Sequence, residues 1–272
     1  METQNTHGKL RLAAVDLDGT LLGPDHRISP ENHDAVARLQ AAGIQVILAS
    51  GRHYKMMRSF IDALPGLDWV VSVQGAEASA ADRSHVMRRS FLDRAMAERI
   101  FALNASQRFG FSMLAYGLDD IFALDARAQA TYVDLFGYRP TLTRFEALRE
   151  FDLFKVVWVG SPETLEKLRD VKEVQEIGAQ TVRSHQHLLE FVQPGVNKST
   201  GAAEIATRLG IEPASVVAFG DAENDLPLFR WAGRSVAMPH GWDSVKRAAS
   251  FIAPAGEPES AFARGVDVLL RT

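Results

Sequence analysis

The sequence predicts an α/β protein in which an α+β domain is inserted into a doubly wound, mainly parallel sheet. Apolar runs suited to buried strands alternate with helical segments, and the runs that predict the core strands are 12–15, 44–49, 69–73 and 215–219. Polar loops follow these runs, whereas between about 81 and 188 strands and helices continue without such loops. We therefore predict a core of residues 1–80 and 189–272, and an inserted domain of residues 81–188.

Local signals place the helices of the predicted core. Ser29 is a preferred N-cap residue, Pro30 fits the first turn of a helix, and Glu31 lies near the positive end of the helix dipole. Gly43 ends this helix, which links the first two strands. A second helix is predicted over 54–63, before the third strand.

The inserted segment carries its own elements but no loop suited to phosphate. Its predicted helix and strands span 95–103, 111–116, 121–124 and 154–159, and residues 190–192 lead back to the core. Basic and acidic residues balance in this segment, so no run of charge identifies a partner.

Composition excludes several classes of function. The chain has 272 residues, of which 46% are hydrophobic, enough for the core of one large or two moderate domains. A net charge of −4 predicts no nucleic-acid partner, and the lack of a long apolar run predicts no membrane span. The polar N-terminal residues 1–8 predict no secretion signal. The absence of cysteine excludes disulfides and thiolate zinc sites, which fits a reducing cytoplasm. We expect a cytoplasmic monomer or homodimer.

Two carboxylates follow the first predicted strand, in the run Asp16-Leu17-Asp18-Gly19-Thr20. Side chains two residues apart leave a strand on the same side, so Asp16 and Asp18 can face one ligand. Gly19 lets the backbone turn sharply after them. A simple turn at the end of a strand would use the same residues, because Asp-Gly is a common turn dipeptide. The choice between a turn and a catalytic site therefore depends on the other loops.

Three further loops offer groups that bind phosphate or metal. Ser50, Gly51 and Arg52 follow the second strand and supply a hydroxyl, backbone amides and a cation. Lys198 begins a predicted helix, and the acidic loop 220–225 follows the last predicted core strand. In an open α/β sheet ligands bind outside the carboxyl ends of the strands, where distant loops converge. Arg52 either contacts phosphate or pairs with an acid of the core.

Together these loops predict a metal-assisted phosphate site. Asp16, the main-chain carbonyl of Asp18 and Asp221 offer the hard oxygen ligands that Mg²⁺ prefers, with substrate phosphate as a further ligand. Without a cation, these carboxylates would repel an incoming phosphate dianion. Lys198 adds positive charge for the phosphoryl group during transfer.

In these loops the chain resembles the haloacid dehalogenase-like (HAD) phosphatases, and within them the Cof-type class IIB hydrolases. The loops match the four motifs of the family in order, and the resemblance covers nearly the whole chain. It implies a Rossmann-like core in which Asp16 attacks phosphorus and becomes an aspartyl-phosphate. It also implies that Asp18 protonates the leaving oxygen and later deprotonates the attacking water, and that Ser50 and Lys198 hold the phosphoryl oxygens.

The resemblance further implies that Asp221 binds Mg²⁺ and that Asn224 and Asp225 support the site. We place Gly51, Arg52 and Asn224 among the phosphate-binding residues, and Asp225 among the supporting ones. The position of the inserted segment matches the class-two cap of the family, of the C2B type, which covers the active site and chooses the substrate.

The leading function is hydrolysis of small phosphorylated metabolites, such as sugar phosphates or a phosphorylated cofactor like pyridoxal phosphate. A phosphomutase of the phosphomannomutase type is an alternative, because it shares this fold and cap class; it would return the phosphoryl group to a bound sugar. A non-catalytic regulator that binds phosphate is disfavoured, because Asp16, Asp18, Lys198 and Asp221 are all present.

Five other residues have no assigned role at this stage. Gln74, Ser199 and His240 depart from the pattern of the family and leave the shape of the site's rim open. His185 and His187 could ligate a metal from one strand, but no third ligand is in sight, so we predict surface histidines.

Overall fold

The computed structural model describes residues 9–106, 109–168 and 170–271. Residues 1–8 lie outside these ranges. Two predictions concern them: that they are part of the core, and that they contain no secretion signal. The strands are β1 (Leu12–Val15), β2 (Gln45–Ala49), β3 (Trp69–Ser72), β4 (Glu77–Ala80), β5 (Val86–Arg89), β6 (Ser112–Tyr116), β7 (Ile121–Ala123), β8 (Thr141–Leu142), β9 (Lys155–Val159), β10 (Gln180–His185), β11 (Leu188–Val192), β12 (Val216–Gly220), β13 (Arg234–Ala237) and β14 (Phe251–Ile252).

The helices are α1 (Pro30–Ala41), α2 (Tyr54–Ala63), α3 (Arg94–Ala105), α4 (Ala126–Phe136), α5 (Phe145–Leu148), α6 (Pro162–Leu168), α7 (Lys172–Gln175), α8 (Lys198–Arg208), α9 (Leu226–Trp231), α10 (Asp243–Ala248) and α11 (Ala261–Arg271). Short 3₁₀ turns include Val73–Gly75 and Glu223–Asp225. Across the described ranges, none of the helices combines the length and the apolar character needed to cross a bilayer.

β1 lies near the centre of an eight-stranded sheet of order β14-β13-β12-β1-β2-β3-β4-β5. Neighbouring strands from β14 to β3 are parallel, and β4 and β5 continue the sheet as antiparallel strands. In the centre, Ala13 of β1 lies opposite Val217 of β12 on one side and Val46 of β2 on the other. This arrangement confirms the predicted fold class, a doubly wound, mainly parallel sheet.

Helices cover both faces of this sheet, which explains why its central strands are apolar throughout. Every residue of β1 is buried. Ala13 and Val15 pack in a cluster with residues of α1, α2 and α11. Leu12 and Ala14 point the other way and pack with residues of α8, α9 and α10. The alternation of side chains along one strand therefore joins two helical layers.

The first helix begins where the sequence predicts. Oγ of Ser29 accepts a hydrogen bond from the amide of Asn32 at 3.1 Å, and Pro30 is the first helical residue. Gly43 follows the helix with a φ of +78°, a conformation in which glycine carries no steric penalty. The cap, the proline and the glycine thus define both ends of α1.

A second sheet, of order β10-β11-β9-β6-β7-β8, contains the strands from β6 to β11. Its strand pairs are antiparallel except β7 with β8. One face, which includes Trp158, packs against α3, α5, α6 and α7. The other face packs against α4 and against Met56, Val73 and Ala76 of the first-sheet region. The two sheets therefore share an apolar contact.

The chain does not pass from one sheet to the other at the predicted boundaries, residues 81 and 188. β5 lies in the predicted insert yet pairs with β4 of the first sheet, and β11 extends past residue 188 yet pairs with β9 of the second. The period of a strand reveals its buried faces but not its partner. The division into core and cap stays a prediction, and the pairing favours boundaries near 90 and 193.

Candidate active site

A buried cluster of carboxylates and a lysine lies at the carboxyl ends of β1 and β12. Asp16 follows β1 directly and is 4% exposed. Its Oδ1 lies 2.6 Å from Nζ of Lys198, the fully buried first residue of α8. The same Nζ donates to Oδ1 of Asp225 at 2.7 Å. One cation therefore lies between two carboxylates that come from neighbouring strands.

The residues around Lys198 fix it at the start of α8. Oδ1 of Asn197 accepts from the amides of Ser199 and Thr200 at 3.0 and 3.2 Å, and Oγ1 of Thr200 accepts from the amide of Asn197 at 3.2 Å. This reciprocal pair is a capping box, which sets the first turn of a helix. The hydroxyl of Ser199 also donates to Oδ1 of Asn197 at 2.5 Å. Ser199 thus serves the start of the helix.

Three carboxylates could hold a metal ion, because ligand oxygens of Asp16, Asp221 and Asp225 lie within 4.8 Å of one another. Both oxygens of Asp225 are already engaged. Its Oδ1 accepts from Lys198, and its Oδ2 accepts from the amides of Asp221 and Ala222 at 3.0 and 3.1 Å. Asp225 therefore supports the loop, and Asp16 and Asp221 are the side chains that fit an oxygen-seeking ion such as Mg²⁺.

Electrostatics in this cluster favour a bound cation. Burial, together with repulsion from Asp225, raises the pKa of Asp16 to about 7. Burial and the negative charge of Asp16 raise the pKa of Asp221 well above its usual range. Burial alone would lower the pKa of Lys198, but the carboxylates of Asp16 and Asp225 outweigh it and raise that pKa. One lysine does not balance three carboxylates, and a divalent cation would relieve the excess.

Gly19 allows the loop after β1 to approach Asp221 closely. Its φ is +72°, and a Cβ at this position would collide with the Asp221 carboxylate. Oγ1 of Thr20 donates to Oδ1 of Asp221 at 3.4 Å. Nε2 of His240 donates to the carbonyl oxygen of Gly19 at 2.8 Å. His240 therefore lies against the same loop.

Asp18 forms a two-point ion pair with Arg52. Nε and Nη2 of Arg52 donate to its two oxygens at 2.8 and 2.5 Å, and Nδ1 of His26 lies 3.6 Å from one of them. Burial alone would raise the pKa of Asp18, but hydrogen bonds from Arg52 and His26 hold it well below its usual range. Arg52 therefore pairs with an acid in this structure, which is one of the two interpretations that the sequence left open. Asp18 is consequently ionised here.

The loop Ser50-Gly51-Arg52 is held by its carbonyl groups. Backbone amides of Gln74 and Val73 donate to the carbonyl oxygens of Ser50 and Arg52 at 3.0 and 2.9 Å. The amide of Arg52 donates to Oγ of Ser50 at 3.1 Å. A Cβ on Gly51 would collide with the side-chain amide of Gln74. Gln74 therefore packs directly on the predicted phosphate loop.

A buried chain of polar groups runs from Asn224 into the second sheet. Nδ2 of Asn224 donates to Oε1 of Gln74 at 3.1 Å, and Nε2 of Gln74 donates to Oε2 of Glu190, also at 3.1 Å. Glu190 of β11 pairs with Lys155 of β9 at 2.7 Å. Sequence reasoning missed Lys155 and Glu190. A charged residue beginning the otherwise apolar strand 155–159 is the signal that could have found the pair.

His185 ends β10, and His187 lies in the turn after it. Nδ1 of His185 accepts from the amide of His187 at 3.2 Å, and Nδ1 of His187 lies 3.0 Å from the carbonyl oxygen of Gly160. The ring of Phe136 lies near two imidazoles, with centroids 6.0 Å from His185 and 6.3 Å from His26. The three rings form what we call the aromatic wall.

An open pocket of about 680 Å³ is lined by the aromatic wall on one side and by carboxylates of the candidate site on another. It includes Asp18 and Asp221 together with His240 and Trp242. A smaller cavity of about 50 Å³ lies on the inner side of the wall. Residues from both sheets and their loops line that cavity: Asp16, Asp18, Gly51, Arg52, Asn224, Tyr116, Tyr132, Phe136, Lys155, Ser184, His185, Leu188 and Glu190.

The sequence is similar to a family of hydrolases and to a phosphatase. A family model described as haloacid dehalogenase-like hydrolase matches residues 13–263. HMP-PP phosphatase of Cronobacter sakazakii is 31% identical over 235 residues, which cover 84% of either chain.

Two solved structures share the fold. Phosphatase BT1666 from Bacteroides thetaiotaomicron has a TM-score of 0.82 and 21% identity, over 100% of this chain and 97% of that one. The HAD subclass IIB sugar phosphatase BT4131 has a TM-score of 0.84 and 20% identity, over 96% of this chain and 100% of that one.

Proposed function

This chain belongs to the haloacid dehalogenase-like hydrolases, and from that premise we propose a Mg²⁺-dependent phosphatase that forms an aspartyl-phosphate on Asp16. The observation that carries the proposal is the buried contact between Asp16 and Lys198 beside the carboxylate of Asp221. An ion pair that only stabilises the fold requires no further acid beside it, and an unpaired buried charge lowers stability. A site for a metal ion and a phosphoryl group explains why the acids are gathered here.

In the first half of the proposed reaction, a carboxylate oxygen of Asp16 bonds to phosphorus and the ester P–O bond breaks. The leaving oxygen takes a proton from Asp18. Lys198 balances charge on the phosphoryl oxygens, and the hydroxyl of Ser50 donates to one of them. The burial of Asp16 and Lys198 supports these roles, because charges interact more strongly where water is excluded.

In the second half, water attacks the phosphorus of the aspartyl-phosphate and gives a proton to Asp18, which frees Asp16 and inorganic phosphate. Asp18 has to be ionised to accept this proton, and the pairing with Arg52 favours the ionised state while making Asp18 a weaker base. The first half needs a protonated Asp18. We propose that Arg52 turns towards the substrate phosphate when it binds, which releases Asp18 to take up that proton.

Asp16, the main-chain carbonyl of Asp18 and Asp221 are the groups that would hold Mg²⁺. When bound, the ion supplies positive charge that lets a phosphate dianion approach the carboxylates. Burial and neighbouring carboxylates raise the pKa values of Asp16 and Asp221, which supports this set of ligands because a bound cation would stabilise both ionised groups.

The aromatic wall favours a flat ring in the leaving group. Phe136 lies beside the imidazoles of His26 and His185, and aromatic rings of this kind stack on flat partners. The relative from Cronobacter sakazakii acts, by its name, on HMP-PP. We propose phosphorylated ring compounds as substrates, with HMP-PP and pyridoxal phosphate as candidates, ahead of sugar phosphates.

Release of inorganic phosphate tests the proposal. HMP-PP, pyridoxal phosphate and hexose 6-phosphates are incubated with Mg²⁺ and either the wild-type protein or Asp16→Asn. We expect turnover of the ring compounds, and a loss of at least about 1000-fold in the variant, because its amide keeps the shape but not the nucleophile.

A folded Asp16→Asn protein with wild-type turnover would refute the proposed nucleophile. Movement of phosphate to another position of a sugar, without release, would indicate a phosphomutase. Faster turnover of the sugar phosphates would refute the role of the aromatic wall while leaving the chemistry intact.

A further inference from the structure

Lys155 and Glu190 form a buried ion pair that the proposed reaction does not use. They are 1% and 2% exposed, and Nζ of Lys155 lies 2.7 Å from Oε2 of Glu190. Burial lowers the pKa of Lys155, although the charge of Glu190 opposes that shift. A buried ion pair gives little net stability compared with apolar residues of similar volume. The pair therefore calls for a role other than stability.

Lys155 reaches from the second sheet to the predicted phosphate loop. Its Nζ donates to the carbonyl oxygen of Gly51 at 2.9 Å. The carbonyl groups on either side, of Ser50 and Arg52, accept from backbone amides of Gln74 and Val73. Three consecutive carbonyl groups are thus fixed, and the middle one depends on a side chain of the other sheet.

The bond to Lys155 sets the direction of one peptide group. In a trans peptide the N–H points opposite to the C=O, and there is no cis peptide in the described part of the chain. When the carbonyl of Gly51 faces Lys155, the amide of Arg52 points the other way and donates to Oγ of Ser50 at 3.1 Å. Because the Ser50 oxygen accepts this bond, its own hydrogen is left to donate to a phosphoryl oxygen.

The other side of the loop is held through a strained turn. Val73 and Gln74 have φ of +48° and +60°, and a β-branched residue is rare in this region. Such strain persists where the surroundings hold the backbone, and it is concentrated at functional sites. The side chain of Gln74 donates to Glu190. The ion pair therefore contacts the loop directly through Lys155 and the adjoining turn through Glu190.

We propose that Lys155 is a positioning residue that orients the peptide between Gly51 and Arg52, and through it the hydroxyl of Ser50, for binding of phosphoryl oxygens. Glu190 is its counterion. Because both residues stand on the second sheet, the phosphate site is complete only when that sheet is seated on the core. This inference rests on the proposed phosphatase activity.

Two variants separate the ammonium group from its counterion. Glu190→Gln keeps the donor to Gly51, whereas Lys155→Met combined with Glu190→Gln removes it without leaving a buried charge unpaired. The substrate is p-nitrophenyl phosphate with Mg²⁺, and inorganic phosphate is the inhibitor. We expect the double variant to lose roughly 30- to 100-fold in kcat/KM, and Glu190→Gln, which keeps the donor to Gly51, to lose clearly less. Inhibition by phosphate should weaken roughly tenfold in the double variant alone.

Arg83 provides a matched control. It pairs with the buried Glu77 at 2.9 Å and donates to the carbonyl oxygen of Leu118, in the loop between β6 and β7, at 3.0 Å. Arg83→Met removes a contact between the two regions, while Arg89 still balances Glu77 at 2.7 Å. We expect a lower Tm in this variant, with kcat/KM and inhibition by phosphate unchanged.

Two results would overturn the proposal. One is a double variant that equals Glu190→Gln in kcat/KM and in inhibition by phosphate. The other is an Arg83→Met protein that loses as much kcat/KM and phosphate inhibition as the double variant. If the double variant does not fold, Lys155→Gln with Glu190→Gln replaces it, because the shorter amide cannot reach both partners. A wild-type protein that releases no phosphate from any compound refutes the proposed function instead. In that event, calorimetric binding of inorganic phosphate by the same variants still decides the role of Lys155.

Discussion

Single residues decide whether the carboxylate cluster can form. Gly19 has a φ of +72°, and an added Cβ would collide with the Asp221 carboxylate. Gly43, beyond the end of α1, has a φ of +78°, but no atom lies within 4 Å of its added Cβ. The two glycines share a backbone conformation and differ in their surroundings. Substituting each of them separates backbone strain from damage to the site.

We expect Gly19→Ala to lower kcat/KM by at least about 100-fold, because Asp221 has to move. Gly43→Ala should lower the free energy of unfolding by about 1 to 2 kcal/mol and leave kcat/KM unchanged. Urea unfolding and phosphate release measure the two effects. Equal losses of activity in both variants would show that backbone strain, and not the contact with Asp221, is what matters at Gly19.

The raised pKa values of Asp16 and Asp221 predict that Mg²⁺ stabilises the protein more at higher pH. A carboxyl whose pKa rises on folding contributes stability below its unfolded pKa, and for Asp16 this contribution is lost as pH rises towards about 7. Mg²⁺ takes the place of the proton. The increase in Tm on adding Mg²⁺ should therefore be larger at about pH 8 than at about pH 5.5. An increase that is the same at both pH values would argue against Asp16 and Asp221 as ligands.

Among the elements, α8 begins with Lys198, which contacts the proposed nucleophile Asp16. We expect Asn197→Ala to cost about 1 kcal/mol of stability and to lower kcat as well, since the first turn positions Lys198. Ser29→Ala removes the corresponding cap from α1, away from the carboxylates, and should cost similar stability with kcat unchanged. Thermal unfolding and initial rates distinguish the two. Wild-type kcat in Asn197→Ala would show that packing alone positions the lysine.

Elements with local signals were predictable from the sequence. The strand before Asp16 is apolar throughout, the cap at Ser29 and the glycine at position 43 define α1, and Lys198 does begin a helix. Lys155 and Glu190 were missed because their significance comes from a contact between sheets, which no local period encodes. The pairing of Arg52 with Asp18 likewise depends on tertiary geometry, so both interpretations of that arginine stood open in the sequence.

At the scale of the whole molecule, the proposed catalytic residues lie in the core loops, whereas Phe136, Ser184 and His185 of the second-sheet region line the open pocket. We expect that replacing residues 90–193 with the matching segment of a relative of different preference changes the ranking of substrates. The donor segment should carry lysine and glutamate at the positions of Lys155 and Glu190. Dependence on Mg²⁺ should persist, because Asp16 and Asp221 stay. Rates over a panel of phosphate esters measure the ranking, and an unchanged ranking in a folded chimera would assign selectivity to core loops such as those at Gln74 and His240.

The pairing of β1 with β12 also bears on how the protein is made. Leu12 lies opposite Val216, so the strand that precedes Asp16 gains this neighbour only after most of the chain has left the ribosome. The strands of the second sheet, within 112–192, emerge earlier and can pair first. A nascent chain that stops before β12 contains Asp16, the proposed nucleophile, but not the carboxylate of Asp221. If Asp221 has the role proposed for it, we expect incomplete chains to release no phosphate, so that activity begins only when synthesis is nearly finished.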